Sequence, residues 1–254
     1  MRLGLGATIS KKAIKRKPRS LPANQSTKSL YFDGTDDYGD MAYSSDHDTL
    51  RNGDFTVAFW INLEQIGAYQ FVLNNWSSFN NGWSIRVDNT NKLRCAWNGS
   101  GHLTNFALAK DTWYHLAYTC DRDGNGTWYK DGSATNSASV ASLSVPASTS
   151  KFRFGASSHS SGTFKLNGYL DEFGIWSEVL SADAVAAIYG SGKPPFRLSS
   201  NSGNYTNSAK LLNYFVMGDH ASDDNTVMND EGTIGNDIVL SNMVSGNLST
   251  EVPS

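Results

Sequence analysis

A chain of 254 residues has room for one large all-β domain or two small ones. Ser, Asn, Gly and Thr supply 96 residues, aromatics 12% and charged residues only 18%, a balance that favours many short strands joined by polar turns; with 39% apolar residues, a largely disordered chain is excluded. No apolar run approaches the roughly 18 residues of a membrane span, and two cysteines, Cys95 and Cys120, are too few for a disulfide framework, so buried thiols are expected unless their strands are neighbours.

Residues 1–28 read as an extended arm. Gly4, Gly6, Pro18 and Pro22 interrupt regular structure, and Leu3, Leu5 and Ile9 are too few to form a core. Eight Lys and Arg and no acid give the arm a charge of +8; the remaining 13 basic and 24 acidic residues leave the body at −11. A cationic arm on an acidic body implies attachment. Leu3, Leu5 and Ile9 would be buried against a partner, with Lys11, Lys12, Lys15, Arg16, Lys17 and Arg19 facing its acidic groups. The arm carries no aromatic residue for base stacking, which argues against nucleic acid as that partner. Its basic run follows the weakly apolar stretch instead of preceding it, so it does not read as a secretory signal.

From Ser29 to about Gly190 the pattern is strand, turn, strand. Phe55–Ile61, Tyr69–Leu73, Trp83–Val87, Leu93–Trp97, Trp113–Thr119 and Thr127–Lys130 are β-branched or aromatic runs. Turn pairs such as Asn52-Gly53, Asn81-Gly82 and Asp131-Gly132 bound them. Strands at this spacing predict a sandwich of two antiparallel sheets over residues 29–190. One short helix is predicted over Ser181–Tyr189, with Ser181 as N-cap and Gly190 as stop. Trp60, Trp83, Trp113, Trp128 and Trp176 lie on strand patterns and are expected in the core; Trp60 and Trp113 are placed between the sheets, and His115 is expected to be a hydrogen-bonded core imidazole. After Lys193-Pro194-Pro195, residues 191–254 hold two candidate strands, Leu211–Met217 and Asp237–Leu240. That is too little apolar material for a separate domain, so these strands are expected to extend the same sandwich.

Five stretches carry a resemblance. Ser29–Tyr38 (SLYFDGTDDY), Phe55–Ile61 (FTVAFWI), Trp113–Ala117 (WYHLA), Trp128–Gly132 (WYKDG) and Gly168–Trp176 (GYLDEFGIW), followed by Leu180-Ser181-Ala182-Asp183, are similar in content and order to laminin-G-like, concanavalin A-type jelly rolls. The resemblance implies an all-β jelly roll and a structural Ca²⁺ near Asp33 and Asp171. The competing reading leaves Asp33 to fix its turn and Asp171 to cap backbone amides.

Two loops combine aromatic rings with amides and hydroxyls, Asn74–Asn81 and Trp97–His102. A ring for the apolar face of a sugar and amides for its hydroxyls is what glycan recognition needs. Trp76, Asn80, Trp97 and His102 are the expected contacts, against the alternative that these aromatics only cover the end of the sandwich. Catalysis finds no support: the Glu-x-Asp-x-x-Glu string of glycosidases on this fold does not occur, and Asp171 and Glu172, being adjacent on a strand, should face opposite ways. A lectin-like jelly roll with a cationic arm and no evident export signal is expected to be a bacteriophage virion protein. It would be present in multiple copies, anchored to other virion proteins by its arm, and would display the jelly roll toward host polysaccharide. A bacterial extracellular adhesin is the alternative.

Overall fold

The computed structural model describes residues 26–159 and 164–254. The proposed anchor residues, Leu3 through Arg19, lie outside the described residues. The strands in chain order are β1 (Ser29–Asp33), β2 (Tyr38–Met41), β3 (Phe55–Leu63), β4 (Gln70–Asn74), β5 (Trp83–Val87), β6 (Leu93–Trp97), β7 (Ser100–Leu103) and β8 (Trp113–Cys120). They continue with β9 (Asn125–Lys130), β10 (Ser133–Ser139), β11 (Phe152–Phe154), β12 (Asn167–Trp176), β13 (Leu211–Phe215), β14 (Val227–Met228), β15 (Ile238–Ser241) and β16 (Leu248–Ser249). Helix α1 (Thr49–Asn52) follows a 3₁₀ turn at Ser45–Asp48, and α2 spans Ala182–Tyr189. The turn at Ser45–Asp48, which the sequence reading missed, is closed by a reciprocal cap between Ser44 and His47. Helix α2 begins where the Ser181 hydroxyl accepts from the Ala184 amide at 3.1 Å and ends at Gly190 in the left-handed conformation.

The strands form two antiparallel sheets packed face to face. The first runs β10-β9-β8-β3-β12-β1-β16, with β13 pairing the C-terminal half of β12; the second runs β14-β15-β2-β11-β4-β5-β6-β7. Strands from beyond Pro195 thus enter both sheets. Alternation sets the interior: Phe55, Val57, Phe59 and Ile61 of β3 meet Trp83, Ile85, Val87, Cys95 and Trp97 of the opposing sheet. Cys95 and Cys120 are buried free thiols on different sheets, and burial pushes both up, Cys120 to about 12.

A second core lies on the outer side of the first sheet. Gly174, Ala58 and Ala117 stand side by side across β12, β3 and β8, followed by Tyr129 on β9. These small residues leave a trough. Trp176 folds over Gly174, where a Cβ would fall 2.5 Å from the indole. Val185 and Ile188 of α2, with Phe196, Leu198 and Tyr205, close the trough from outside, and Tyr214 of β13, paired with Gly174, bounds its end. Two expectations change accordingly. Trp60 is buried, but in this outer layer against Tyr189 and His115, and not between the sheets. Trp113 is only half-buried, its indole donating to Glu251 at 3.1 Å. His115 is buried as expected, yet its Nδ1 has no hydrogen-bond partner among the described residues; burial lowers its pKa to about 3.

Candidate functional site

Among the described residues, no comparable apolar core covers the outer side of the second sheet. There Tyr69, Phe71, Trp76, Phe79, Asn80, Arg86, Gly99 and Phe164 line a cleft of about 350 Å³. Phe71 is on β4 and Arg86 on β5, directly opposite one another in register, and both project outward because their neighbours Trp83, Ile85 and Val87 point into the core. The β4–β5 loop supplies Trp76, Phe79 and Asn80. Phe71 and Trp76 meet edge to face at 4.9 Å between centroids, and Trp76 and Phe79 do so at 5.7 Å. The Arg86 guanidinium lies 5.2 Å from the centre of the Trp76 ring. Phe79 is 68% exposed, Tyr69 46% and Phe164 40%, three apolar rings held at the surface around one recess.

The loop is held in shape by its own polar side chains. Asn75 Oδ1 accepts from the Trp83 amide at 2.8 Å, Asn74 Oδ1 accepts from the Ser158 amide at 2.9 Å, and the Ser158 hydroxyl lies within donating distance of Asn74 Oδ1 (2.6 Å) and the Trp76 carbonyl (2.9 Å). Gly82, at φ +149, lies so close to the opposite side of the loop that a Cβ there would fall 2.8 Å from Trp76 Cα. Gly99, at φ +80, makes room for Asn80 in the same way, a Cβ at that position falling 2.6 Å from Asn80 Cγ. The aromatic recess is therefore formed before any ligand arrives.

Of the expected saccharide contacts, Trp76 and Asn80 line the cleft and Trp97 and His102 do not. Trp97 is fully buried between the sheets, its indole donating to the Leu50 carbonyl at 3.0 Å. It follows Leu93 and Cys95 in strict alternation, and that phase puts it in the core. His102 is buried beside Tyr118, with its Nε2 2.7 Å from the Asn136 amide nitrogen. Arg86, Tyr69 and Phe164 were not among the expected contacts. Alternation along β5 marks Arg86 as outward-facing, whereas Tyr69 and Phe164 reach the site only through the fold.

Asp33 and Asp171 do not form one site. Asp33 pairs with Asn167, four residues from Asp171 along β12, on the order of 13 Å at strand rise. Asp33 Oδ1 instead accepts from the Thr35 amide at 2.6 Å, and Asp37 Oδ2 accepts from the Asp33 amide and the Asn247 side chain. Asp171 is buried under the arm's end, where the Ser26 hydroxyl donates to Oδ2 at 2.6 Å. A Ca²⁺ shared by the two acids does not fit this arrangement.

The expected opposition of Asp171 and Glu172 is also corrected. A bulge in β12, with Glu172 at φ +48, turns both carboxylates to the outer layer of the first sheet. Tyr214 donates its hydroxyl to Glu172 Oε2 there. Burial raises Glu172 to about 7, and burial together with the Glu172 charge raises Asp171 well above the usual carboxylate range. The pair is covered, remote from the cleft's lining, and no carboxylate belongs to that lining among the described residues.

Residues 25–186 match the family model described as the concanavalin A-like lectin/glucanases superfamily, and the chain belongs to that family. A candidate carbohydrate binding protein from Bacteroides ovatus is similar in fold at TM-score 0.66 and 15% identity, with 87% of this chain covered; this chain spans 59% of that protein's length. A SAP-like pentraxin from Limulus polyphemus is similar at TM-score 0.51 and 15% identity, covering 87% of this chain and 98% of its own. The CBM40 module of a Ruminococcus gnavus IT-sialidase, solved with α2,6 sialyllactose, is similar at TM-score 0.52 and 11% identity over 64% of this chain and 97% of its own. A search of the curated proteins returns no match. These likenesses bear on the fold. Among the described residues no helix is long and apolar enough to cross a membrane.

Proposed function

We propose that this protein binds a saccharide, without turning it over, in the cleft on the outer side of the second sheet. The observation that carries the reading is the preformed recess in which Phe79, Tyr69 and Phe164 keep exposed rings around the buried Trp76. Such rings take the C–H face of a pyranose, and the Asn80 amide is placed to reach hydroxyls at its edge. A glycosidase would need two carboxylates flanking that ring, and the described lining has none. Phe79→Ala tests the reading. It is expected to abolish retention on an immobilised glycan array while leaving the thermal midpoint nearly unchanged, and undiminished retention would refute the site.

For the setting of this binding we favour the surface of a bacteriophage particle, with residues 1–28 as the attachment. Supporting it is the division of charge, +8 on the arm against −11 on the body. Fractionating the native source decides between this and a bacterial adhesin: co-sedimentation with particles is expected, and recovery in a cell-envelope fraction would favour the adhesin.

A further inference from the structure

Among the described arginines, Arg86 and Arg94 stand apart from the rest. Arg51 is paired with Asp48, Arg153 with Asp40 and Arg197 with Glu231, while Arg122 donates to the Val140 and Leu143 carbonyls. Arg86 and Arg94, among the described residues, have no oxygen partner at all, and the Arg86 Nε is buried without one. The two stand directly opposite each other on β5 and β6, in the row Phe71, Arg86, Arg94, Leu103. Like charges so placed repel. The nearest acid by sequence, Asp88, attracts both guanidinium groups from a distance but bonds neither, its carboxylate accepting from the Thr90 amide and hydroxyl and the Lys92 amide. Burial first, and then Arg94, hold Arg86 below the usual guanidinium value, although the group remains charged. What touches it instead is aromatic: the faces of Trp76 at 5.2 Å and Phe71 at 5.9 Å, which fix the planar group in the wall of the cleft.

A cation kept against a like charge, half-desolvated, without a hydrogen-bonded anion and facing a cleft rimmed by exposed aromatics, is placed to receive one. We infer that the cleft selects saccharides bearing an anionic substituent, a carboxylate or a sulfate ester, which Arg86 receives in two-point contact while the rings hold the sugar. The inference rests on the saccharide reading of the same cleft and names its ligand class. Arg86 is the specificity-determining residue: its planar fork matches the two oxygens of a carboxylate or sulfate, which a lysine ammonium does not. Arg94 adds positive potential behind it.

The test is an array of neutral, carboxylated (uronate- and sialate-bearing) and sulfated glycans, probed with the full chain and with Arg86→Gln, Arg86→Lys and Phe79→Ala. The expected result is retention confined to acidic glycans, at least about tenfold weaker for Arg86→Gln, intermediate for Arg86→Lys and lost for Phe79→Ala. The carboxylated and sulfated arms show which anion is preferred. Arg86 has no hydrogen-bonded protein partner to strand and loses only its contact with the Trp76 and Phe71 rings, so the Gln variant should stay folded with a thermal midpoint close to wild type. As a check that needs no variant, raising salt from about 0.05 to 0.5 M should weaken acidic-glycan retention several-fold. Retention of neutral glycans at equal strength, unaltered by Arg86→Gln and by salt, would overturn the anion assignment while leaving the saccharide reading intact. Retention of no glycan of any class would fail the saccharide reading, and the assignment with it.

Discussion

The two outer faces of this sandwich are built on the same plan and finished differently. On the first sheet the row Gly174, Ala58, Ala117 is small, so α2 and the segment from Phe196 to Tyr214 settle close and bury a second core. On the second sheet the corresponding row carries Phe71, Arg86 and Arg94, and among the described residues only the β4–β5 loop, with Trp76 against Phe71, closes over it. Where an apolar layer closes over the sheet, the aromatic residues stabilise the fold; where the described cover is a single loop, the rings at its rim stay exposed. Aromatic content alone therefore says little about binding. What separates platform from packing is the size of the residues beneath the ring and whether chain remains to cover it.

The largest effect that sharpens this contrast is expected from Trp176→Ala. The indole is fully buried and donates to the Tyr205 hydroxyl at 3.0 Å, so removal should cost about 3–5 kcal/mol in denaturant unfolding. Trp97→Ala should behave alike. A change below about 1 kcal/mol in either would mean that the layer in question is loosely packed and that the contrast fails.

Next in size is the buried carboxylate of the covered face. Folding raises Glu172 from 4.5 to about 7, so the native state holds its proton more tightly than the unfolded chain. Its contribution to stability is full below about pH 4.5 and declines as pH rises through 7. Glu172→Gln removes that decline. Unfolding free energies of the two proteins, compared from pH 5 to 8, should diverge by roughly 2–3 kcal/mol in favour of the variant as pH rises. The buried histidines, whose lowered values act in the opposite direction, are common to both proteins and cancel. Parallel curves would show that Glu172 titrates normally.

The smallest effect belongs to the open face. Phe79→Ala should shift stability by less than about 1 kcal/mol, because 68% of that residue is already in water. Loss of several kcal/mol would make Phe79 a packing residue and erase the distinction between the faces.

Much of this was legible in the chain. The strand runs, the turn pairs and the Ser181–Gly190 helix signals are local, and they appear within a residue or two of where the pattern puts them. Trp97 was legible too, had its phase with Leu93 and Cys95 been weighed above the polar loop that follows it. The bulge at Glu172 was not, since no glycine marks that left-handed position. Neither was the cleft as a whole: Tyr69, Phe79 and Arg86 share the β4–β5 hairpin, but its bulged register and the approach of Phe164 from far along the chain are set by tertiary packing.

The two cysteines give the molecule a built-in clock. Cys95 and Cys120 are fully enclosed on opposing sheets, and both thiols ionise only far above neutral pH, so an alkylating reagent at pH 8 meets almost no thiolate in the intact sandwich. Each labelling event then records an opening of the structure. Equal labelling rates at the two positions would mean that the sheets part in a single concerted act. A faster rate at one would identify the sheet that breathes on its own, and saturating the cleft with ligand should slow Cys95 if that sheet is the one it steadies.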